Sequence, residues 1–201
     1  LKTDQLSEMS ERLGKRILCL AEDIHNVAGK VFNVNSPQQL GAVLFGDLLP
    51  ASRLKELRLP HPRRTATGYS TDATILEELR GIHPIVAKVL EYRQLSKLKS
   101  TYLDALPSLV NPNTGRLHTS YNQVGSSTGR ISSSDPNLQN IPVRDDLGRE
   151  VRRAFVAQEG WKLLAADYSQ VELRVLAHLS QDPGLLAAFG RDEDIHSSTA
   201  S

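Results

Sequence analysis

Apolar residues recur every third or fourth position along the first thirty residues, which is the spacing of one face of an α-helix. This repeat predicts an amphipathic helix that ends near Gly29, because glycine favours the C-cap position. Residues 31–34 then have the composition of a short strand, and Ser36-Pro37 predicts the N-cap and first turn of another helix. The first helical face consists of Leu6, Met9, Leu13, Ile17, Leu20 and Ile24.

A second long helical pattern runs from Pro84 to Pro107, after a shorter helix that Ser70 to Asp72 would cap. Residues 49–70 are rich in Pro, Arg, Gly and Thr, which predicts a mobile basic loop. Lysine and arginine cluster within residues 53–64 and 88–99, although the net charge is only +1. Such clusters can bind a phosphate backbone, but they can also be a solvated helix face or loop.

The pattern changes after Pro107, which favours a domain boundary near residue 105. A strand is predicted from Arg116, and a long loop rich in Ser, Gly, Asn and Pro follows over residues 125–146. A loop of that length inside a compact domain is usually functional or disordered. An apolar strand is then predicted over residues 161–168, followed by a helix from residue 170 to residue 180.

Asp167 lies at the end of the predicted apolar strand, next to residues that look buried. An isolated buried carboxylate is costly unless a cation or several hydrogen-bond donors compensate it, so a divalent metal is a sensible partner. On spacing alone a lone Asp at a strand end is more often a helix N-cap than a metal ligand. Glu172 falls in the first turn of the next helix, where the helix dipole favours an acid whatever its other role.

Two long motifs resemble those of family A DNA polymerases. The segment DYSQVELRVLAHLSQD at residues 167–182 is similar to the motif that carries one of that family's two catalytic aspartates. The segment STGRISSSDPNLQNIPVR at residues 127–144 is similar to its primer-gripping loop. Shorter matches follow the same order at residues 97–107, 151–155 and 190–201, so the resemblance covers essentially the whole chain.

The resemblance implies an α+β fold, with a helical thumb followed by an incomplete antiparallel palm sheet of a right-hand polymerase. Residues 1–105 would form the thumb subdomain. Residues 106–180 would form the N-terminal part of the palm, and residues 181–201 the start of the fingers. The family's second catalytic motif and its nucleotide-binding helix are not found in this sequence, so we expect the chain alone not to polymerise.

The resemblance also assigns roles in nucleotidyl transfer. Asp167 would bridge two Mg²⁺ ions, and the backbone carbonyl of Tyr168 would be a further metal ligand. Glu172 would be the steric gate that disfavours a ribose 2′-hydroxyl. Gln170 and His196 would contact the incoming nucleotide.

The loop and the thumb would hold the duplex. Arg130 matches the arginine that reads the minor-groove edge at the primer terminus, where all correct base pairs offer similar acceptors. In the alternative without DNA contacts, the amide side chains of the loop form ordinary Asx turns and the lysines are exposed charges. The other implied DNA contacts are Asn137, Gln139, Asn140, Arg144, Lys97 and Lys99.

The implied function is that of a DNA-directed DNA polymerase, which extends a primer from dNTPs in replication and repair. Its partners would be primer-template DNA and dNTP, and it would be a monomer in the bacterial cytoplasm, associated with the nucleoid. No run approaches the ~20 apolar residues of a membrane helix, so no membrane partner is expected. Two alternatives stay open: a duplex-DNA-binding module without catalysis, and a phage or repair polymerase of the same family.

Overall fold

The structure, a computed structural model, describes residues 1–59, 62–65, 68–143 and 145–191. The chain forms two compact units, residues 1–156 and residues 157–201. Helices dominate the described part of both units, and the described strands form two small antiparallel pairs in the first. The predicted α+β class is therefore confirmed.

Helix α1, Thr3–Ala28, buries the predicted apolar face and ends at Gly29, whose φ of 69° is left-handed. That end was predicted correctly, because glycine adopts a left-handed φ without the clash that a Cβ causes. The strand predicted for residues 31–34 is wrong. The Asn33 side chain accepts a hydrogen bond from the Asn35 backbone N–H at 3.0 Å, which turns the chain instead of extending it.

Helix α2, Pro37–Ala42, begins as predicted, with Ser36 Oγ accepting a hydrogen bond from the Gln39 N–H at 3.3 Å. A π-helical segment, Val43–Leu48, continues it. The basic loop predicted for residues 49–70 is partly wrong, because it contains helix α3, Ala51–Glu56, and strands β1, Arg64–Thr65, and β2, Gly68–Tyr69.

The β1–β2 pair is held against the first π-helical segment and α2. Tyr69 packs edge-on against Phe45, with 5.4 Å between ring centroids, and the Arg64 guanidinium lies 5.3 Å from the Tyr69 ring centroid. Gly41 makes room for this packing, since a Cβ there would lie 3.0 Å from the Tyr69 carbonyl oxygen. Packing of this kind depends on residues almost thirty positions apart, so local composition could not indicate it.

Helices α4, Ala73–Glu78, and α5, Pro84–Leu98, lead into a second π-helical segment, Lys99–Asp104, and helix α6, Ala105–Ser108. Helix α5 packs along α1, and two ion pairs join them, Arg16–Glu91 at 2.7 Å and Lys88–Asp23 at 2.6 Å. Lys88 belongs to the basic cluster at residues 88–99, so part of the positive charge of that cluster pairs with a carboxylate of α1.

Strands β3, Ser120–Asn122, and β4, Ser132–Ser134, form an antiparallel hairpin, followed by helix α7, Asp146–Arg153. Strand β3 begins four residues after Arg116, where a strand was predicted to start, because Arg116 makes an isolated bridge to Asn111. Val151 of α7 and Ala154, the C-cap of that helix, join the same hydrophobic core as α1 and α5. The subdomain boundaries at residues 105 and 180 stay predictions.

The second unit contains helices α8, Val171–Ser180, and α9, Pro183–Gly190. The helix predicted after Asp167 is confirmed, but the apolar strand predicted for residues 161–168 is wrong. A strand needs a hydrogen-bonded neighbour, and no described segment pairs with these residues. Leu164 is 93% exposed, and of the apolar side chains described in α8 and α9 only Ala177 and Ala188 are buried.

Candidate functional site

The β3–β4 hairpin presents the loop that the sequence assigned to duplex binding. Its register pairs Ser120 with Ser134 and Asn122 with Ser132. Arg130 is exposed two residues before β4, directly after Gly129, whose φ of 75° is left-handed. A groove of about 710 Å³ runs along the hairpin and is lined by Ser120, Tyr121, Asn122, Gln123, Val124, Ile131 and Ser134.

Gln139 uses its carboxamide within the loop itself. Its Nε2 donates to the Ile131 carbonyl at 2.7 Å, and its Oε1 accepts from the Ser133 N–H at 3.2 Å. Both ends of the side chain therefore brace the strand next to Arg130. The sequence predicted a duplex contact for Gln139, and in this structure its polar atoms already have intrachain partners.

Asn137 forms an Asx turn that shapes the same loop. Its Oδ1 accepts hydrogen bonds from the backbone N–H groups of Gln139, at 3.0 Å, and Asn140, at 3.2 Å. The Asn140 carbonyl in turn accepts a hydrogen bond from the Tyr102 hydroxyl. Asn137 and Asn140 are both exposed, so their turn geometry and the predicted contacts are compatible.

Thr119 closes the base of the hairpin. Its hydroxyl lies 2.6 Å from Ser133 Oγ, 3.0 Å from the Ser134 carbonyl and 2.8 Å from the Pro136 carbonyl. Ser133 is itself buried. Sequence reasoning missed Thr119 and Tyr102 as supports of the loop, because nothing in their own spacing marks a partner that lies 14 or more residues away.

The two lysines assigned to phosphate contacts differ in environment. Lys97 is exposed on α5, as a phosphate contact would be. The Lys99 ammonium instead contacts both carboxylate oxygens of Asp104, at 2.8 and 2.9 Å, and Ser10 Oγ at 2.8 Å. Partial burial alone would raise the pKa of the Asp104 carboxyl, but hydrogen bonds from Lys99 and Ser10 hold it below its usual value.

Asp167 lies in an exposed segment of the second unit, beside Tyr168, which is 83% exposed. The burial expected around this carboxylate is therefore wrong, since the apolar residues before it face solvent. Trp161, in the same segment, is 73% exposed. The desolvation argument for a metal does not hold in this structure, and the assignment rests on the motif.

Helix α8 begins directly after this segment. Gln170 is its N-cap, with a left-handed φ of 52°, and Glu172 lies in the first turn, as predicted. Arg174 Nε donates to the Ser169 carbonyl at 3.0 Å, and its guanidinium lies 4.6 Å from the ring centroid of Phe189 on α9. These contacts fix the turn between Asp167 and the helix.

The oxygen ligands of this segment are of the kind that Mg²⁺ prefers. The Asp167 carboxylate and the neighbouring Tyr168 carbonyl can both coordinate a hard cation. No group of three or more His, Cys, Asp or Glu side chains converges within the described residues. These residues thus fit part of a magnesium site. Two other assigned residues, Arg144 and His196, lie outside the described residues.

Comparisons with known proteins agree over almost the full chain. The family model for DNA polymerase family A matches residues 3–201. DNA polymerase I of Chloroflexus aurantiacus is 57% identical over 100% of this chain and 21% of its own length. The thermostable DNA polymerase I of Thermus aquaticus is 54% identical over 98% of this chain and 23% of its own length. The chain thus spans about a fifth of the curated relatives it matches.

A solved structure is also similar. It is the POL domain of Pol1 from M. smegmatis in a complex with DNA primer-template and dNTP, with a TM-score of 0.85 and 42% identity. The match covers 100% of this chain and 34% of that one. In the part of the chain that the structure describes, no helix is long and apolar enough to cross a membrane. Because the family model matches residues 3–201, the chain belongs to DNA polymerase family A.

Proposed function

We propose that this chain supplies the thumb and the first part of the palm of a DNA-directed DNA polymerase. The observation that carries the proposal is the similarity of the whole of this chain to part of a polymerase domain, whose solved complex contains primer-template DNA and dNTP. Both long motifs fall within the matched residues. Primer-template DNA and dNTP are accordingly the proposed partners, and replication and repair in the bacterial cytoplasm are the proposed roles of a monomeric enzyme.

The first unit would hold the duplex. Arg130 is exposed and precedes Ile131, which lines the groove, so its guanidinium can donate to acceptors on a base-pair edge. Asn137 and Gln139 organise the loop that carries it, and the exposed Asn140 and Lys97 lie on the same unit. Arg144 is proposed as a backbone contact on its motif position alone.

The second unit would contribute to the chemistry. Asp167 and the Tyr168 carbonyl would hold magnesium. Two Mg²⁺ ions, when bound, supply activation of the primer 3′-hydroxyl and neutralise charge on the leaving pyrophosphate. The exposed Glu172 carboxylate at the start of α8 would exclude a ribose 2′-hydroxyl, and Gln170 and His196 would hold the incoming nucleotide.

Replacing Arg130 with alanine is expected to weaken primer-template binding about tenfold, the loss typical of one good guanidinium contact to a base edge. Fluorescence anisotropy with a labelled primer-template, measured over a salt series, gives the dissociation constant. Arg80→Ala is the matched control, because Arg80 is an exposed arginine of the same unit whose guanidinium is paired with Glu77 at 2.6 Å.

Equal losses for Arg130→Ala and Arg80→Ala would contradict the assignment, because they would report general charge and not a specific contact. The alternative of a duplex-binding module without catalysis makes the same prediction for Arg130. In that alternative Asp167 is never used. Only a test of Asp167 separates the two functions.

A further inference from the structure

The second π-helical segment, Lys99–Asp104, lies between helix α1 and the loop assigned to duplex binding. One end of it contacts α1 through Ser10, and its middle contacts the loop through Tyr102. A π-helical turn is often found at functional sites, and it needs surrounding contacts to persist. The segment therefore links the helical core to the loop.

Lys99 is the centre of the contact with α1. Its ammonium is shared between Asp104 and Ser10, and Ser10 Oγ lies 2.5 Å from Asp104 Oδ1. Ser10 is only 8% exposed, so the cluster closes against the core. The ammonium has three hydrogen-bond donors, and Ser10 and the two Asp104 carboxylate oxygens are three acceptors for them, so a phosphate contact would require at least one of these bonds to break.

Tyr102 makes the contact with the loop. Its side chain is 6% exposed in the core, and its hydroxyl donates to the Asn140 backbone carbonyl. Burial raises the pKa of the hydroxyl, so that it remains a donor at neutral pH. Removing the hydroxyl would therefore take away the hydrogen bond that ties the Asn140 carbonyl to the core.

The loop carries this constraint onward to the hairpin. The Asn140 N–H is held by Asn137, and Gln139 bridges the carbonyl of Ile131 and the N–H of Ser133. Hydrogen bonds therefore run continuously from Tyr102 to the residue that follows Arg130. All of these residues belong to the first compact unit.

We infer that Lys99 and Tyr102 are positioning residues for the loop assigned to duplex binding. Lys99 fixes the π-helical segment, and Tyr102 holds the loop through the Asn140 carbonyl. The inference rests on the proposed function for its DNA ligand. It gives Lys99 a different role from the phosphate contact that the family resemblance implies, and it leaves that role to Lys97.

Tyr102→Phe tests the loop contact, because it removes only the hydroxyl. Tyr92→Phe is the matched control: Tyr92 is a buried tyrosine of α5 whose hydroxyl lies 3.1 Å from Asn35 Nδ2, away from the loop. Only Tyr102→Phe is expected to speed amide hydrogen exchange over residues 133–141. It should also weaken primer-template binding about fivefold, with an unchanged salt dependence.

The salt dependence separates the two lysines. Each lost phosphate contact lowers the slope of log K against log salt concentration by about one. Lys97→Ala is expected to lower the slope by about that amount. Lys99→Met is expected to weaken binding about fivefold while the slope stays at the wild-type value, because no phosphate contact is lost.

Each of the other outcomes overturns a distinct statement. Unchanged loop exchange in Tyr102→Phe overturns the positioning role, while the proposed function stands if Arg130→Ala still weakens binding. A lowered slope in Lys99→Met overturns the inference by making Lys99 a phosphate contact. If Tyr102→Phe speeds loop exchange but the wild-type chain binds no primer-template DNA, the proposed function is rejected. The inference that the loop is positioned for a duplex is then rejected with it.

Discussion

Asp167→Asn in the whole polymerase is expected to lower the rate of single-nucleotide incorporation by at least about 1,000-fold. The neutral amide keeps the shape of the side chain but removes the negative charge that would hold magnesium, and metal stabilisation of the transition state is worth several kcal/mol. Primer extension at saturating dNTP measures the rate. Binding of the primer-template should change by less than about twofold, since the proposed duplex contacts belong to the first unit.

Asp146→Asn provides the control, because Asp146 is an exposed aspartate that pairs with Arg149 three residues later on α7. Exposed pairs of this kind contribute about 0–1 kcal/mol, so this variant should keep its activity. If Asp167→Asn retained more than a tenth of the wild-type rate, the assignment of this carboxylate as a metal ligand would be wrong. The duplex-binding module would then be the better description.

Gly148→Ala is expected to lower the free energy of unfolding by roughly 3 kcal/mol, at the upper end for an overpacked site. A Cβ at this buried position would lie 2.5 Å from the Pro142 Cβ and 2.8 Å from Asp145 Oδ1. Asp145 is also the N-cap of α7, where its Oδ1 accepts from the Gly148 N–H at 2.6 Å. The added methyl group therefore displaces both the preceding segment and the cap. Urea unfolding followed by circular dichroism measures the loss.

Gly46→Ala is the matched control for this effect. Gly46 lies in the first π-helical segment, and a Cβ there would meet nothing within 4 Å. Alanine lowers the conformational entropy of the unfolded chain, so the variant should be as stable as the wild type or slightly more stable. A loss of stability in Gly46→Ala equal to that in Gly148→Ala would mean that the clash at Pro142 is not the cause.

Local patterns predicted α1, α2, α4, α5 and α8, whereas α3, α7 and α9 were not predicted. The face from Leu6 to Ile24, the C-cap at Gly29 and the N-cap at Ser36 all depend on residues within one or two helical turns. The β1–β2 pair escaped prediction because its packing on Phe45 and Gly41 joins separate parts of the chain. The strand predicted before Asp167 failed for a related reason: its apolar composition indicates burial, but a partner strand must also be present.

Motif resemblance located the candidate site residues, and the structure adds how several of them are used. Gln139 and Lys99 are residue types expected to contact DNA, yet their polar atoms form hydrogen bonds within the chain. No sequence rule distinguishes a lysine that faces a phosphate from one held by an aspartate five residues later. Lys97 and Lys99 are two residues apart and differ because only one of them faces α1.

The exposed Trp161 gives the chain an intrinsic optical reporter of the segment that leads to Asp167. It is the only tryptophan in the sequence and lies six residues before Asp167. In the structure described here its indole is 73% exposed, so its fluorescence emission should be near that of an indole in water. Packing of residues 161–168 against another segment would bury the indole and shift the emission to shorter wavelength, so that burial of this segment could be followed without an added label.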